Sequence, residues 1–172
     1  MGRRPVIGVM GPGEARPPLL DASRRLGRLL AEAGWVVLTG GRPTGVMEAA
    51  CAGAKSVPGS LTIGILPSGP EGPVSAFVDV AVFTGLGEAR NAVNVLSSDV
   101  VVACGVEGSG TASEVALALK TGRPTVLLAP TAAAAAFFGA LAPQGELPAV
   151  DSPEEVVSLV EGQLGIPRWR AD

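Results

Sequence analysis

Asp99-Val-Val-Val-Ala-Cys-Gly-Val-Glu-Gly-Ser-Gly-Thr-Ala-Ser-Glu114 joins a run of apolar β-formers to a glycine-rich turn and then to a helical pattern. Strand, glycine loop and helix start, in that order, make an anion site from backbone alone. A helix N-terminus carries unpaired N–H groups and the positive end of a dipole, and glycines let a phosphate come close. Gly108, Ser109, Gly110 and Thr111 are the donors this loop offers. Ser109 and Thr111 also suit ordinary turn and cap roles. Glu114, read in the first helical turn, puts a carboxylate where it can act on whatever the phosphate carries. It also lies three residues beyond Thr111, the spacing of a capping box. A second loop, Gly40-Gly-Arg-Pro-Thr-Gly45, likewise follows an apolar strand and precedes a helix. Two such loops in one chain favour a phosphate ligand over two unrelated tight turns. Neither has the Gly-Lys-Ser/Thr of a Walker loop, and Gly11-Pro-Gly13 lacks the third glycine of the dinucleotide fingerprint.

What the chain lacks narrows the chemistry. There is no His and no Tyr. That removes the commonest general base, the commonest zinc ligand and any Ser-His or Cys-His pair. Acid–base work falls to carboxylates, water or the substrate. Asp and Glu form no ligand cluster, so neither a metal nor a resident cofactor is expected. Cys51 and Cys104 sit in an apolar helix and an apolar strand and read as buried free thiols. Lys55 and Lys120 are the only lysines, and neither has a setting that suggests a Schiff base. The net charge of −3 argues against a general nucleic-acid binder. No apolar run reaches membrane-spanning length. The first ten residues read better as a strand than as a signal peptide. A cytoplasmic location is the expectation.

The elements that must position these residues follow from the apolar pattern. Strands are expected at 5–10, 35–39, 61–66, 77–83, 99–104 and 124–129, with a short one near 148–150. Helices are expected at 21–33, 46–55, 87–97, 111–121 and 131–141, and from Ser152 onward. Leu26, Leu29, Leu30 and Ala33 recur at helical spacing in the first helix, and Gly34 suits its C-terminus. Ser152-Pro-Glu-Glu places a cap, a first-turn proline and two acids at the start of the last helix. Continuous Val/Ile/Leu strands alternating with helices predict an α/β chain. Its form is a single Rossmann-like, doubly wound parallel sheet with helices on both faces, one domain over 1–172. Ligands of such sheets sit beyond the C-terminal strand ends, where both glycine loops fall.

Leu38-Thr-Gly-Gly-Arg-Pro-Thr-Gly-Val-Met47, then Arg90, then Gly108-Ser-Gly-Thr-Ala-Ser-Glu114 resembles the LOG family. Its members carry Gly-Gly-Gly-x-x-Gly-Leu-Met, an arginine on a later helix and Pro-Gly-Gly-x-Gly-Thr-x-x-Glu. Many are labelled lysine decarboxylases, yet the characterised ones are nucleoside 5′-monophosphate phosphoribohydrolases. The resemblance implies a nucleoside monophosphate ligand and cleavage of its N-glycosidic bond, releasing base and ribose 5-phosphate. It places Arg90 and Glu114 at the catalytic positions. A carboxylate near the ribose can stabilise an oxocarbenium-like transition state or orient water. A guanidinium can hold phosphate or base. The residues set around the phosphate are Gly40, Gly41, Arg42, Gly45, Met47, Gly108, Ser109, Gly110 and Thr111; Met47 by its type also suits the core. Arg90 has an alternative reading as an ion-pair partner of Glu88 or Asp99.

Two departures stand out. Arg42 replaces the third glycine of the first loop, and Val106-Glu107 replaces the Pro-Gly of the second. They resemble a shorter subgroup with relatives among molybdenum-cofactor carrier proteins. The alternative function is therefore a carrier or sensor of a nucleotide or of a phosphate-bearing cofactor such as molybdopterin, without catalysis. Opposite charges in two facing loops suggest an Arg42–Glu107 pair. The resemblance further implies a homodimer with sites near the interface, and an exposed apolar face on the 87–97 helix would fit it. No nucleic-acid or membrane partner is expected.

Overall fold

Seven runs of Val, Ile, Leu and Ala form the strands, and their order along the chain dictates a sheet open at both edges. The computed structural model describes residues 3–142, 147–162 and 164–169. The strands are β1 Val6–Met10, β2 Val36–Thr39, β3 Thr62–Leu66, β4 Val80–Phe83, β5 Val100–Cys104, β6 Thr125–Leu128 and β7 Ala149–Val150. The helices are α1 Pro17–Glu32, α2 Gly45–Lys55, α3 Arg90–Leu96, α4 Ser109–Lys120, α5 Ala132–Leu141 and α6 Pro153–Gly162. Every strand pairing is parallel, in the order β4-β3-β2-β1-β5-β6-β7. The chain winds outward from β1 to β4, then returns to lay β5 on the other side of β1. That reversal leaves a crevice at the C-terminal ends of β1 and β5, the usual ligand position in open α/β sheets.

Successive residues of a strand point to opposite faces, and the core divides accordingly. On one face Val100, Val102 and Cys104 join Ile7, Val9, Leu26, Leu30, Trp35 and Val156 under α1, α2 and α6. On the other, Val101 and Ala103 join two smaller clusters with Val95 of α3, Val115 of α4 and Phe138 of α5. The expected doubly wound sheet is thus the architecture found. Both cysteines are free and buried, and burial pushes the Cys51 thiol up to about 11 and the Cys104 thiol up to about 12. No helix among the described residues is long and apolar enough to cross a membrane.

Four elements differ from expectation by more than a residue at one end or in type. α1 begins at Pro17, not Asp21, because Pro17 and Pro18 occupy its first two positions, where a missing N–H costs nothing. β4 begins at Val80, not Phe77: the Thr62 hydroxyl donates to the Phe77 carbonyl (2.6 Å), and Asp79 accepts from the Thr62 amide (2.9 Å) and Lys55 (2.9 Å). The 87–97 helix is a 3-10 turn at Gly87–Ala89 followed by α3, with Gly87 at φ +55°. α4 starts at Ser109 rather than Thr111. The segment after α6 also docks on the body. Trp35 Nε1 donates to the Pro167 carbonyl (2.8 Å), the Trp169 amide donates to Ala33 (2.9 Å), and Arg4 stacks on the Trp169 ring.

Candidate functional site

Four strand ends converge on one cleft of about 270 Å³. β1 supplies Met10 and the Gly11-Pro12-Gly13 turn, β2 supplies Gly40 and Arg42, and the α4 start supplies Gly108 to Thr111. Arg90 comes from α3 and Glu88 from the 3-10 turn before it.

The α4 wall presents a helix N-terminus to the cleft. Gly108 takes the cap position with extended backbone (φ −131°, ψ 161°), and no side chain caps the helix. The first-turn N–H groups therefore lack intrahelical and side-chain acceptors and lie at the cleft. A Cβ at Gly108 or Gly110 would meet nothing, so the approach is open. Asn91 Nδ2 donates to Ser113 Oγ (2.9 Å), which donates to the Gly110 carbonyl (2.7 Å). This chain of bonds fixes the α4 start against α3.

Opposite lies a buried polar group. Arg90 and Glu114 are each only 6% exposed, and Asn94 is fully buried. Asn94 Nδ2 donates to Glu114 Oε1 (2.8 Å). Arg90 Nε and Asn94 Oδ1 have no hydrogen-bond partner. A buried guanidinium N–H without an acceptor costs free energy unless something in the cleft accepts it. Burial pushes the Glu114 carboxyl up to about 7, against the Asn94 hydrogen bond and the charge of Arg90. Burial likewise pulls the Arg90 guanidinium down, and Glu114 opposes that. A Cβ at Gly40 would strike the Arg90 guanidinium and come within 2.7 Å of Met47 Sδ, so a larger residue there would displace both side chains.

Of the residues singled out in sequence, Gly40, Arg42, Met47, Arg90, Gly108, Ser109, Gly110, Thr111 and Glu114 line this cleft. Met47 is both lining and core, at 6% exposure. Gly41 and Gly45 do not line it. Gly41 (φ +71°) accepts from the Ser75 amide (2.9 Å), and Gly45 (φ +57°) packs on the Pro12 carbonyl, so both serve the turn. The Arg42–Glu107 pair is not formed. Arg42 approaches Glu88 instead (3.8 Å), and Glu107 has no ion pair among the described residues. Gly105 and Val106, at φ +76° and +45°, turn the second loop before Glu107. The capping-box reading of Glu114 also falls. With α4 starting at Ser109, Glu114 is its sixth residue, past the reach of the cap. Arg90 pairs with neither Glu88 nor Asp99; Asp99 is taken by Arg3 (2.6 Å).

Sequence reasoning missed Gly11–Gly13, Glu88, Asn91 and Asn94. The first was set aside for failing the dinucleotide fingerprint. The topology shows why it belongs: β1 lies beside β5, so its turn faces the anion loop.

Comparison with known proteins places this cleft in context. A family model described as the SLOG cluster4 family matches residues 4–157. The fold superposes on a molybdenum cofactor binding protein from Rippkaea orientalis with TM-score 0.89 and 51% identity, covering 94% of this chain and 98% of that one. The Moco carrier protein of Chlamydomonas reinhardtii gives TM-score 0.86 and 45% identity over 95% of this chain and 99% of that one. An uncharacterized protein of Archaeoglobus fulgidus is 43% identical over 124 residues, 72% of this chain and 80% of that protein.

Proposed function

The chain belongs to the SLOG cluster4 family, and from that premise we propose that it carries a phosphate-bearing cofactor, the molybdenum cofactor, as cargo. One observation carries the reading. The uncapped N-terminus of α4 and the buried guanidinium-bearing Arg90, whose Nε lacks a partner, line the same cleft. A phosphate bound there accepts from the Gly110 and Thr111 amides and from the guanidinium, and so supplies acceptors to donors that lack them. The likeness to a molybdenum cofactor binding protein and a Moco carrier protein favours that cargo over a free nucleotide. Titration of the pure protein with molybdenum cofactor under anaerobic conditions tests it. Saturable binding with the cofactor returned intact supports the carrier; no binding overturns it.

A second reading, N-glycosidic hydrolysis of a nucleoside monophosphate, is favoured by Glu114. Its carboxyl, shifted to about 7, can exchange a proton with water near neutrality. Incubation with AMP and assay for free adenine and ribose 5-phosphate separates the two. Release that Glu114→Gln abolishes marks the enzyme, and binding without release marks the carrier. We also infer a homodimer, whose surface is taken up in the Discussion.

A further inference from the structure

The phosphate cleft is small. At about 270 Å³ it falls below the roughly 300–1,000 Å³ that enclose a drug-sized ligand. Part of a nucleotide or cofactor therefore lies outside it. A second cavity of about 420 Å³ shares Arg42 with the cleft and is otherwise made by Pro43, Thr44, Leu66, Pro67, Ser68 and Pro73. Its walls are held in place. Prolines fix their own φ, Leu66 is fully buried at the end of β3, and the Pro67 carbonyl accepts from the Gly87 amide (3.0 Å). That last bond couples the wall to the turn carrying Glu88. Most of the lining is apolar. The polar side chains among them are Arg42, Thr44 and Ser68, and neither hydroxyl has a hydrogen-bond partner among the described residues.

Rigid apolar walls, two free hydroxyls and a guanidinium able to stack on a ring face suit a flat heterocycle with a few polar edge groups. Arg42 is held only loosely by Glu88, at 3.8 Å on an exposed side chain, so it is available to a ligand. We propose that the pocket walled by Pro43, Pro67 and Pro73 receives the planar heterocycle of a ligand whose phosphate sits at the α4 N-terminus, with Arg42 between ring and phosphate. The assignment rests on the phosphate reading of the neighbouring cleft. It applies alike to a guanine and to a pterin, which share a fused amino-oxo pyrimidine ring.

Calorimetric titration with GMP and with ribose 5-phosphate tests it on the wild type, Ser68→Trp and Pro73→Trp. Both substitutions fill the second cavity from the loop after β3 and leave the α4 wall untouched. GMP is expected to bind the wild type at least about tenfold more tightly than ribose 5-phosphate. Each tryptophan variant brings GMP down to the ribose 5-phosphate value and leaves ribose 5-phosphate itself unchanged. GMP affinity that survives in both variants, or that never exceeds ribose 5-phosphate in the wild type, overturns the ring pocket and leaves the phosphate cleft standing. Loss of both ligands in both variants shows that the two cavities are not separable and also overturns it. Failure of both ligands on the wild type removes the phosphate reading and the ring pocket with it.

Discussion

Glu114 is a carboxyl held where water is scarce, and its proton makes folding depend on pH. In the folded chain it titrates near 7 rather than near 4.5. Between those values the native state holds a proton that the unfolded state has lost, so stability falls as pH rises through the window. Above it the penalty is complete, roughly 3–4 kcal/mol. Glu114→Gln keeps the shape and the acceptor for Asn94 but cannot ionise. Its melting temperature is expected to hold between pH 5 and 8 while that of the wild type drops by about 5–10 °C relative to it. Parallel curves would refute the assignment. The Arg90 guanidinium is the complementary case: fixed charge, buried, one N–H without a partner. Arg90→Met removes a charged hydrogen bond to bound phosphate, so ribose 5-phosphate affinity falls roughly 10- to 100-fold. A binding isotherm reads this directly, and an unchanged one means that the phosphate lies elsewhere.

At the scale of elements, α1 and α2 cross with backbone nearly touching backbone. A Cβ on Gly27 would strike the Ala50 carbonyl, and one on Gly53 the Arg24 carbonyl. Neither carbonyl can swing aside as a flexible side chain would. Gly27→Ala is therefore expected to cost about 1–3 kcal/mol, despite the better helix propensity of alanine, and the denaturant midpoint will fall. A midpoint that rises would mean that propensity outweighs the crossing. These two glycines also show where the sequence ceased to be readable. Strand cores such as Val100–Cys104 stand out as short valine-rich runs that end at turn residues. The small residues of α1 and α2 look like weak helix positions until the crossing is seen. The same holds at the site. Its two glycine loops and Arg90 are local in sequence and were legible. The Gly11–Gly13 turn joins the cleft only because β1 pairs with β5, and Asn94 reaches Glu114 only because α3 packs against α4. The local spacing from Thr111 to Glu114 pointed to a cap, yet the helix starts early enough to turn Glu114 inward. Leu96 alone is strongly exposed among the apolar residues of α3, so the apolar surface expected there lies instead on the neighbouring edge strand.

For the whole molecule, the two sheet edges differ. β7 is two residues long, while β4 offers four and carries Val80, Val82 and Phe83 at 37–46% exposure, with Leu86 beyond them at 54%. A bare apolar edge without a charged or proline guard invites a partner, and a second copy is the homodimer inferred above. Val82→Lys places a charge on that edge, so light scattering should show half the wild-type mass. A wild type that is already monomeric, or a dimer indifferent to Lys, removes β4 from the interface. The docked segment after α6 has a further consequence, this one optical. Trp35 and Trp169, the only two tryptophans, both sit beside Ala33 and Pro167, at the end of the sheet opposite the cleft. With no tyrosine in the chain, intrinsic emission is a gauge of whether that segment is seated. It is nearly blind to a ligand in the cleft, whose arrival must be followed by the ligand's own colour or by heat.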